Sequence, residues 1–377
     1  MKTLPLVNPG PPLSDEERSR YSRQIVIPQI SEVGQERLRN SRVLCIGAGG
    51  LGSPALLYLA AAGIGSIGIV DFDSIDKTNL HRQILYSHAD IGKRKVEIAK
   101  KKILDLNPTT LVTIYDLRID RLNALEILAD YDIIIDATDN FATRYLINDA
   151  AVLLSKPYVW GSVNRFDGQA AIFWSTHGPC YRCVHPTPPP PGSVQNCAEA
   201  GVFGILCASV ASMQVNEVIK AITGVGEVQI GKMMIYDALD SEFSKIDIKK
   251  DSKCVICSEN APQQNLLKDY EGFCGINVSN EISAEELRKK FVDHQDFVLI
   301  DVREPEEFEQ SRIPGSTLIS KGFFLDHSAL SALPTDKEII LHCRSGIRSV
   351  ECLEIIQSAG FTNSRHLGGG ILAWEKL

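Results

Sequence analysis

Three groups of side chains in this 377-residue chain have the types and spacing for chemistry. Cys180-x-x-Cys183 and Cys254-x-x-Cys257 are two pairs, each able to put two sulfurs on one cation. Together they complete a tetrahedral four-sulfur site with Zn–S distances of about 2.3 Å. The gap between the pairs exceeds that of a zinc ribbon, so spacing alone leaves open that one pair is a redox dithiol. Upstream lies a glycine-rich turn, Gly47-Ala-Gly49-Gly50-Leu-Gly52-Ser53, and downstream a thiol opens the loop Cys343-Arg344-Ser-Gly-Ile-Arg348.

The glycine turn sits between an apolar strand and an apolar helix. Without Cβ atoms its backbone N–H groups can approach a phosphate, and the helix dipole favours the anion. Asp71, followed by Asp73, ends the next strand, where an acid binding a ribose is expected. These features alone suit a dinucleotide equally well, because a bare glycine fingerprint is weak evidence. Further groups favour a triphosphate: Asn79-Leu-His-Arg82-Gln83 offers a guanidinium, Lys95 a point charge, and Asp139 a carboxylate for Mg²⁺. Singly, Lys95 reads as a solvated helix face, Arg82 as a surface ion pair and Asp139 as a helix cap. Together, at the strand ends of one sheet, they read as a nucleotide site.

Cys343 follows the strand Glu338–His342 and precedes a helix. Backbone N–H groups and the neighbouring Arg344 and Arg348 would stabilise an anionic sulfur there, which points to a reactive thiol in an open, basic loop rather than a core cysteine. Cys45, Cys207 and Cys352 lie in apolar patterns and read as core. Cys197 follows a proline run in a loop, a position suited to function but without basic neighbours, and Cys274 has no assigned role.

The elements that hold these groups follow from hydrophobic periodicity and caps. Ser14-Asp-Glu-Glu17 is a capping box opening a helix. Strands at 41–46, 67–73 and 131–136, alternating with helices at 54–62 and 93–106, make a doubly wound parallel sheet. An apolar helix follows from Val202 to about Thr223. Residues 258–275 read as a polar interdomain linker. A smaller α/β unit follows, with helices at 283–291 and 348–359 and strands at 297–302 and 338–342. The expected division is a first domain over 1–257, a linker over 258–275 and a second domain over 276–377.

Bulk composition adds limits. Apolar residues make up 44% and charged residues 23% of the chain, ordinary for globular protein. A net charge of −8 gives no support for nucleic-acid or anionic-membrane binding. The N-terminal residues show no signal peptide, and the apolar stretches at 58–70 and 202–215 read as too short or too glycine-rich to span a bilayer. Ten cysteines without a secretory segment fit metal and thiol chemistry better than disulfides, and a cytoplasmic location is expected.

Residues 14–257 resemble the MoeB/ThiF group of E1-like adenylating enzymes. The motifs that carry the resemblance are Arg20-Tyr-Ser-Arg23-Gln24, Gly47-Ala-Gly-Gly-Leu-Gly52, Asp71-Phe-Asp73, Asn79-Leu-His-Arg82-Gln83, Lys95-Val-Glu97, Thr138-Asp139-Asn140 and both cysteine pairs. The resemblance implies that ATP and Mg²⁺ bind at Gly47, Gly49, Gly50, Gly52, Asp71, Asp73, Asn79, Arg82, Lys95 and Asp139. It implies structural Zn²⁺ on Cys180, Cys183, Cys254 and Cys257, and a homodimer in which Arg23 enters the partner's site. Its implied substrate is a small ubiquitin-like sulfur carrier ending in Gly-Gly, and Cys197 falls at the crossover-loop cysteine.

The C-terminal segment resembles a rhodanese domain through Asp301-Val-Arg303-Glu304, Arg312-Ile-Pro-Gly315, the loop Cys343–Arg348 and Gly368-Gly-Gly-Ile-Leu-Ala-Trp374. Arg312 stands where histidine is usual, and the last helix is short. This resemblance implies a persulfide on Cys343, charged by a cysteine desulfurase or thiosulfate, with Arg348 in the catalytic loop. The whole chain then reads as an α/β enzyme that adenylates a carrier carboxylate and replaces it with a thiocarboxylate. Two rivals are an NAD-dependent oxidoreductase with an accessory domain and a non-catalytic regulatory scaffold. The receiving pathway is not legible.

Overall fold

The computed structural model describes residues 5–190, 201–275, 280–335, 337–361 and 363–377. Cys197, expected as a second reactive thiol, lies outside them. The chain forms two compact units, the first reaching Tyr270 and the second running from Glu271 to Leu377. Residues 258–270, expected as linker, therefore group with the first unit.

The first unit holds an eight-stranded sheet in the order β3-β2-β1-β4-β5-β6-β7-β8. The strands are β1 (Arg42–Ile46), β2 (Ser66–Val70), β3 (Leu111–Tyr115), β4 (Ile133–Asp136), β5 (Tyr158–Asn164), β6 (Asp167–Phe173), β7 (Lys232–Asp237) and β8 (Glu242–Asp247). Strands β3 to β5 along that order are parallel. The rest form an antiparallel meander, so the sheet is mixed rather than wholly parallel. Strand order reverses between β1 and β4, the place where open α/β sheets receive ligands beyond the carboxyl ends of their strands.

Buried runs such as Val43-Leu-Cys-Ile46 and Ile133-Ile-Ile-Asp136 make the central strands, since both faces are covered. The helix Gly52–Ala62 covers one region and ends at Gly63, whose φ of 87° is the left-handed cap that glycine adopts freely. The helix Gly204–Thr223 has the length and apolar composition to cross a membrane, contrary to expectation. It is a core helix in this fold: Leu206, Val210, Ala211, Val218 and Ile222 are buried in the first unit's main apolar cluster.

The second unit is a parallel five-stranded sheet in the order β11-β10-β12-β13-β9. Its strands are β9 (Glu281–Ile282), β10 (Phe297–Asp301), β11 (Ser316–Leu318), β12 (Glu338–His342) and β13 (Ser364–Leu367). Alternate residues of β12 feed two apolar clusters, Ile339 and Leu341 in one and Ile340 in the other, as strand periodicity requires.

Candidate functional site

The first site assembles at the β1–β4 reversal. Gly47 has φ 93°, and a Cβ there would lie 2.7 Å from the Ala137 carbonyl oxygen, so glycine lets the two strand ends close on each other. A Cβ on Gly52 would collide with the Gly47 carbonyl. Asp71 fixes the turn: its Oδ2 accepts from the Ala48 N–H at 2.8 Å and its Oδ1 from the Asp73 N–H at 2.8 Å. Burial raises the Asp71 pKa, opposed by the nearby Lys95. Lys95 is 5% exposed, and its Nζ donates to Asp73 Oδ2 at 2.8 Å, so it is not a solvated surface lysine.

Arg82 lies with its stem on the same turn, because a Cβ on Gly50 would sit 3.5 Å from Arg82 Cδ. Its Nη1 donates to the Thr78 carbonyl at 3.1 Å and is 2.8 Å from His81 Nε2. Asn79 accepts from the Asp76 N–H at 3.1 Å, a local cap. Asp139 is exposed and makes no hydrogen bond or ion pair among the described residues. The helix cap considered for it falls instead to Asn140, whose side chain accepts from the Thr143 N–H at 2.9 Å. Asp136 and Arg144 hold the turn before Asp139: Asp136 Oδ1 accepts from the Thr138 N–H at 3.0 Å and its hydroxyl at 2.7 Å, and Arg144 Nη2 donates to the Thr138 carbonyl at 3.2 Å. Arg23 is exposed on the short helix Ser22–Ile25, outside this constellation within one chain.

Sequence reasoning missed several supports. The Tyr86 hydroxyl donates to the Ala48 carbonyl at 2.8 Å, inside the glycine turn. Gln83, quoted only as part of a motif, is 3% exposed, and its Nε2 would be 3.6 Å from a Cβ on Gly49. No local pattern marks a tyrosine that reaches back across the turn.

The second site is the sulfur cluster. Sγ atoms of Cys180, Cys183, Cys254 and Cys257 all lie within 4.8 Å of one another. The separations are 3.8 Å for Cys180–Cys183, 3.6 Å for Cys180–Cys254 and 3.3 Å for Cys183–Cys257. Tetrahedral coordination at the usual Zn–S length requires sulfurs roughly 3.8 Å apart, so the donor set fits a metal ion. Hydrogen bonding from Cys180 pulls Cys183 down to about 7 and Cys254 lower still. Arg182, between the first two cysteines, is 2% exposed and pairs with the fully buried Asp149.

The third site is the Cys343 loop, and here an expectation is corrected. Cys343 is 1% exposed and belongs to an apolar cluster. The loop closes over the sulfur because Gly346 turns back at φ 99° and donates its N–H to Sγ at 3.2 Å. The Ser349 hydroxyl lies 3.6 Å from the same sulfur. Glycines below complete the fit: a Cβ on Gly370 would collide with the Cys343 carbonyl, and Ile371 N–H donates to that carbonyl at 2.8 Å. Of the two arginines, Arg344 is exposed and Arg348 forms a bidentate pair with Glu307 at 2.7 Å and 2.7 Å. Arg348 holds Glu307 down to about 2. The unusual Arg312 lies over the Phe308 ring at 5.3 Å. His342, just before the thiol, is fully buried, and burial pushes it down to about 4.

Residues 21–256 match the ThiF family model, and residues 283–377 match the rhodanese-like domain model. The chain belongs to the ThiF family. This ThiF-family chain is 48% identical over 384 aligned residues to a probable adenylyltransferase/sulfurtransferase MoeZ of Mycobacterium tuberculosis, covering 99% of this chain and 96% of that one. It is 40% identical to an adenylyltransferase and sulfurtransferase MOCS3 of Drosophila ananassae, over 96% of this chain and 84% of the relative. A sulfur carrier protein adenylyltransferase of Thermus thermophilus is 49% identical, over 69% of this chain and 98% of the relative. Among solved structures, E. coli MccB shares the fold at TM-score 0.59 and 24% identity, covering 66% of this chain and 76% of that one. The ThiF-family chain is thus an adenylyltransferase fused to a rhodanese-like sulfurtransferase.

Proposed function

We propose that this enzyme adenylates the C-terminal Gly-Gly carboxylate of a small ubiquitin-like sulfur carrier and converts it to a thiocarboxylate. What supports this reading is that Arg82 against Gly50, Lys95 on Asp73, and the turn after β4 that leads to Asp139 lie at the carboxyl ends of neighbouring strands around the glycine turn, with a separate thiol loop on the same chain. The Thermus relative is named for acting on a sulfur carrier protein, and MccB structures were solved with ATP.

The carrier carboxylate oxygen attacks the α-phosphorus of ATP. An acyl–O–P bond forms, the bond to the β-phosphate oxygen breaks, and pyrophosphate leaves. Arg82 and Lys95 neutralise charge on the phosphate oxygens, assisted by Arg23 from the partner of a homodimer. Gly47, Gly49, Gly50 and Gly52 admit the phosphates, Asp71 and Asp73 hold the turn, and Asn79 shapes the segment that presents Arg82. Asp139 would hold Mg²⁺, which supplies further neutralisation of phosphate charge.

Cys343, charged as a persulfide by a desulfurase or thiosulfate, then attacks the acyl carbon with its outer sulfur, and AMP departs. This leaves an acyl disulfide between Cys343 and the carrier. A second thiol, for which Cys197 is the candidate, attacks the Cys343 sulfur. The thiocarboxylate leaves and a protein disulfide remains, which an external dithiol reduces. The four-cysteine cluster would hold Zn²⁺ as a structural site with no open position. The domains proposed for these steps are 1–257 and 276–377.

Asp139→Ala tests the separation of the two chemistries. It should abolish ATP–pyrophosphate exchange and leave sulfur transfer from thiosulfate to cyanide intact. Equal loss of both would count against the assignment, and NAD binding in place of exchange would favour an oxidoreductase.

A further inference from the structure

The carboxylate of Asp149 is fully buried, yet neither the nucleotide turn nor the thiol loop uses it. It collects five donors from three parts of the chain. Oδ1 accepts from Arg182 Nε at 2.7 Å and Asn148 Nδ2 at 3.0 Å. Oδ2 accepts from Arg182 Nη2, Gln263 Nε2 and the Tyr270 hydroxyl, each at 2.8 Å. Arg182 stands between two cysteines of the cluster, whereas Gln263 and Tyr270 belong to the segment that follows it. Tyr270 is the last residue of the first unit.

A carboxylate desolvated this completely persists only when its lone pairs are filled. Arg182 supplies the opposite charge. Gln263 and Tyr270 add two neutral donors from a stretch whose composition is that of a free linker. The backbone of that stretch turns back as well: Gln263 N–H donates to the Val255 carbonyl at 2.9 Å, and Ser258 N–H to the Cys254 carbonyl at 3.3 Å. The chain is thereby fastened beside the cluster up to the point where the first unit ends.

We propose that Asp149 is a latch that fixes where the chain leaves the adenylating unit, and that Gln263 and Tyr270 are positioning residues for the sulfur-transfer step. This rests on the two-step function proposed above. A tethered reactant is delivered at an effective concentration set by the length and stiffness of its tether. Releasing residues 258–270 lengthens the free chain between the acyl-adenylate and the Cys343 persulfide. Neither half-reaction depends on that length, whereas transfer between them does.

The variant that tests the latch is Tyr270→Phe with Gln263→Met in the full-length protein, which leaves the Arg182–Asp149 pair and the Asn148 contact in place. The carrier is a recombinant ubiquitin-like protein ending in Gly-Gly, and thiosulfate supplies the sulfur. Amide hydrogen exchange across 258–270 should rise. Single-turnover thiocarboxylate formation, read by mass spectrometry, should slow by about threefold, the −3/2-power fall in effective concentration as the free tether roughly doubles in length. ATP–pyrophosphate exchange, metal content and thiosulfate-to-cyanide transfer should stay at wild-type levels. Faster hydrogen exchange with unchanged thiocarboxylate formation would overturn the proposal, and so would unchanged hydrogen exchange. Loss of pyrophosphate exchange in step with thiocarboxylate formation would overturn it too, by assigning these residues to adenylation. A wild type that exchanges pyrophosphate yet makes no thiocarboxylate would overturn both this latch and the function beneath it.

Discussion

Two of the places where the chain buries sulfur, the four-cysteine cluster and the Cys343 loop, surround it differently. In the four-cysteine cluster the sulfurs lie against one another at 3.3–3.8 Å. At Cys343 a single sulfur faces a backbone N–H and a serine hydroxyl. Four thiols in mutual contact form a donor set that suits a cation, because thiolates brought together repel and a buried thiol is a poor hydrogen-bonding partner. A lone sulfur under two neutral donors needs none, and the proposed function uses it as the nucleophile. Burial therefore does not separate the two kinds of sulfur site in this protein; the partners do.

Substitution at each place should break different properties. Cys343→Ala should abolish thiocarboxylate formation from thiosulfate while pyrophosphate exchange continues, and should lower stability by about 1 kcal/mol. Cys254→Ser should do the converse to the fold. Metal content should fall to near zero and unfolding of the first unit should shift by on the order of 3 kcal/mol or more. Metal analysis and denaturant melts on both variants check this. A Cys254→Ser protein that kept wild-type stability would show that the cluster folds without its metal. Alkylation should also distinguish them: with Cys343 buried, a small reagent should react faster than a bulky one.

Acid sharpens the contrast, because each place loses stability to protons by a separate route. At the cluster, protons would compete with a bound metal for sulfur, so acid lability should follow metal release. Near Cys343 the relevant group is His342. Burial holds it neutral, with its pKa pushed down to about 4. Asp301, 3.6 Å away, favours the charged form, while Arg303, paired with Asp301 at 2.7 Å, opposes it. The unfolded chain titrates near the ordinary value of about 6.5. Between these values the unfolded state binds the extra proton, so stability falls as pH drops from about 6.5 towards 4, by roughly 3 kcal/mol in all. Above that window the effect is absent. His342→Leu should flatten the slope of the second unit's melting against pH and leave metal release from the first unrelated to it. A slope equal to wild type would assign the acid sensitivity elsewhere.

The sequence was legible where a short stretch both forms the element and carries the group. Val43-Leu-Cys-Ile46 runs straight into Gly47, so strand, turn and glycine requirement are written together. The capping box at Ser14–Glu17 formed as expected. Cysteine pairs announce themselves by spacing. What stayed hidden depends on distant partners. The strands Asp167–Phe173, Lys232–Asp237 and Glu242–Asp247 carry polar residues among their apolar ones, and they become strands by pairing with one another. Residues 258–270 have a linker's composition and are ordered by Asp149, over a hundred positions away. Cys343 was expected in an open basic loop because glycine and arginine dominate it. That composition does not show Gly346 folding over the sulfur, nor Gly370 packing against the Cys343 carbonyl.

Arg348 is the residue on which the loop comparison turns most finely. By its position it was expected to stabilise an anionic sulfur, yet its guanidinium forms a bidentate pair with Glu307, the two side chains being 26% and 30% exposed. A cation so engaged acts on the loop chiefly by geometry, anchoring the start of the helix Ile347–Ser358 that presents Ser349 to the sulfur. The two roles predict opposite outcomes for Glu307→Gln. If Arg348 served mainly as a charge for the persulfide, removing its carboxylate partner would strengthen it and sulfur transfer would hold or rise. If it serves as an anchor, transfer to cyanide should fall a few-fold and stability by about 1 kcal/mol, the usual scale for a partly exposed pair. We expect the fall. The carboxyl held at about 2 gives a second check. A depressed acid stabilises the fold fully above its unfolded pKa of about 4.3 and loses that contribution as pH falls through about 2. Wild type and Glu307→Gln should thus differ most in melting temperature near neutrality and converge in strong acid. A difference that persisted below that point would show that the anchor is not the ion pair.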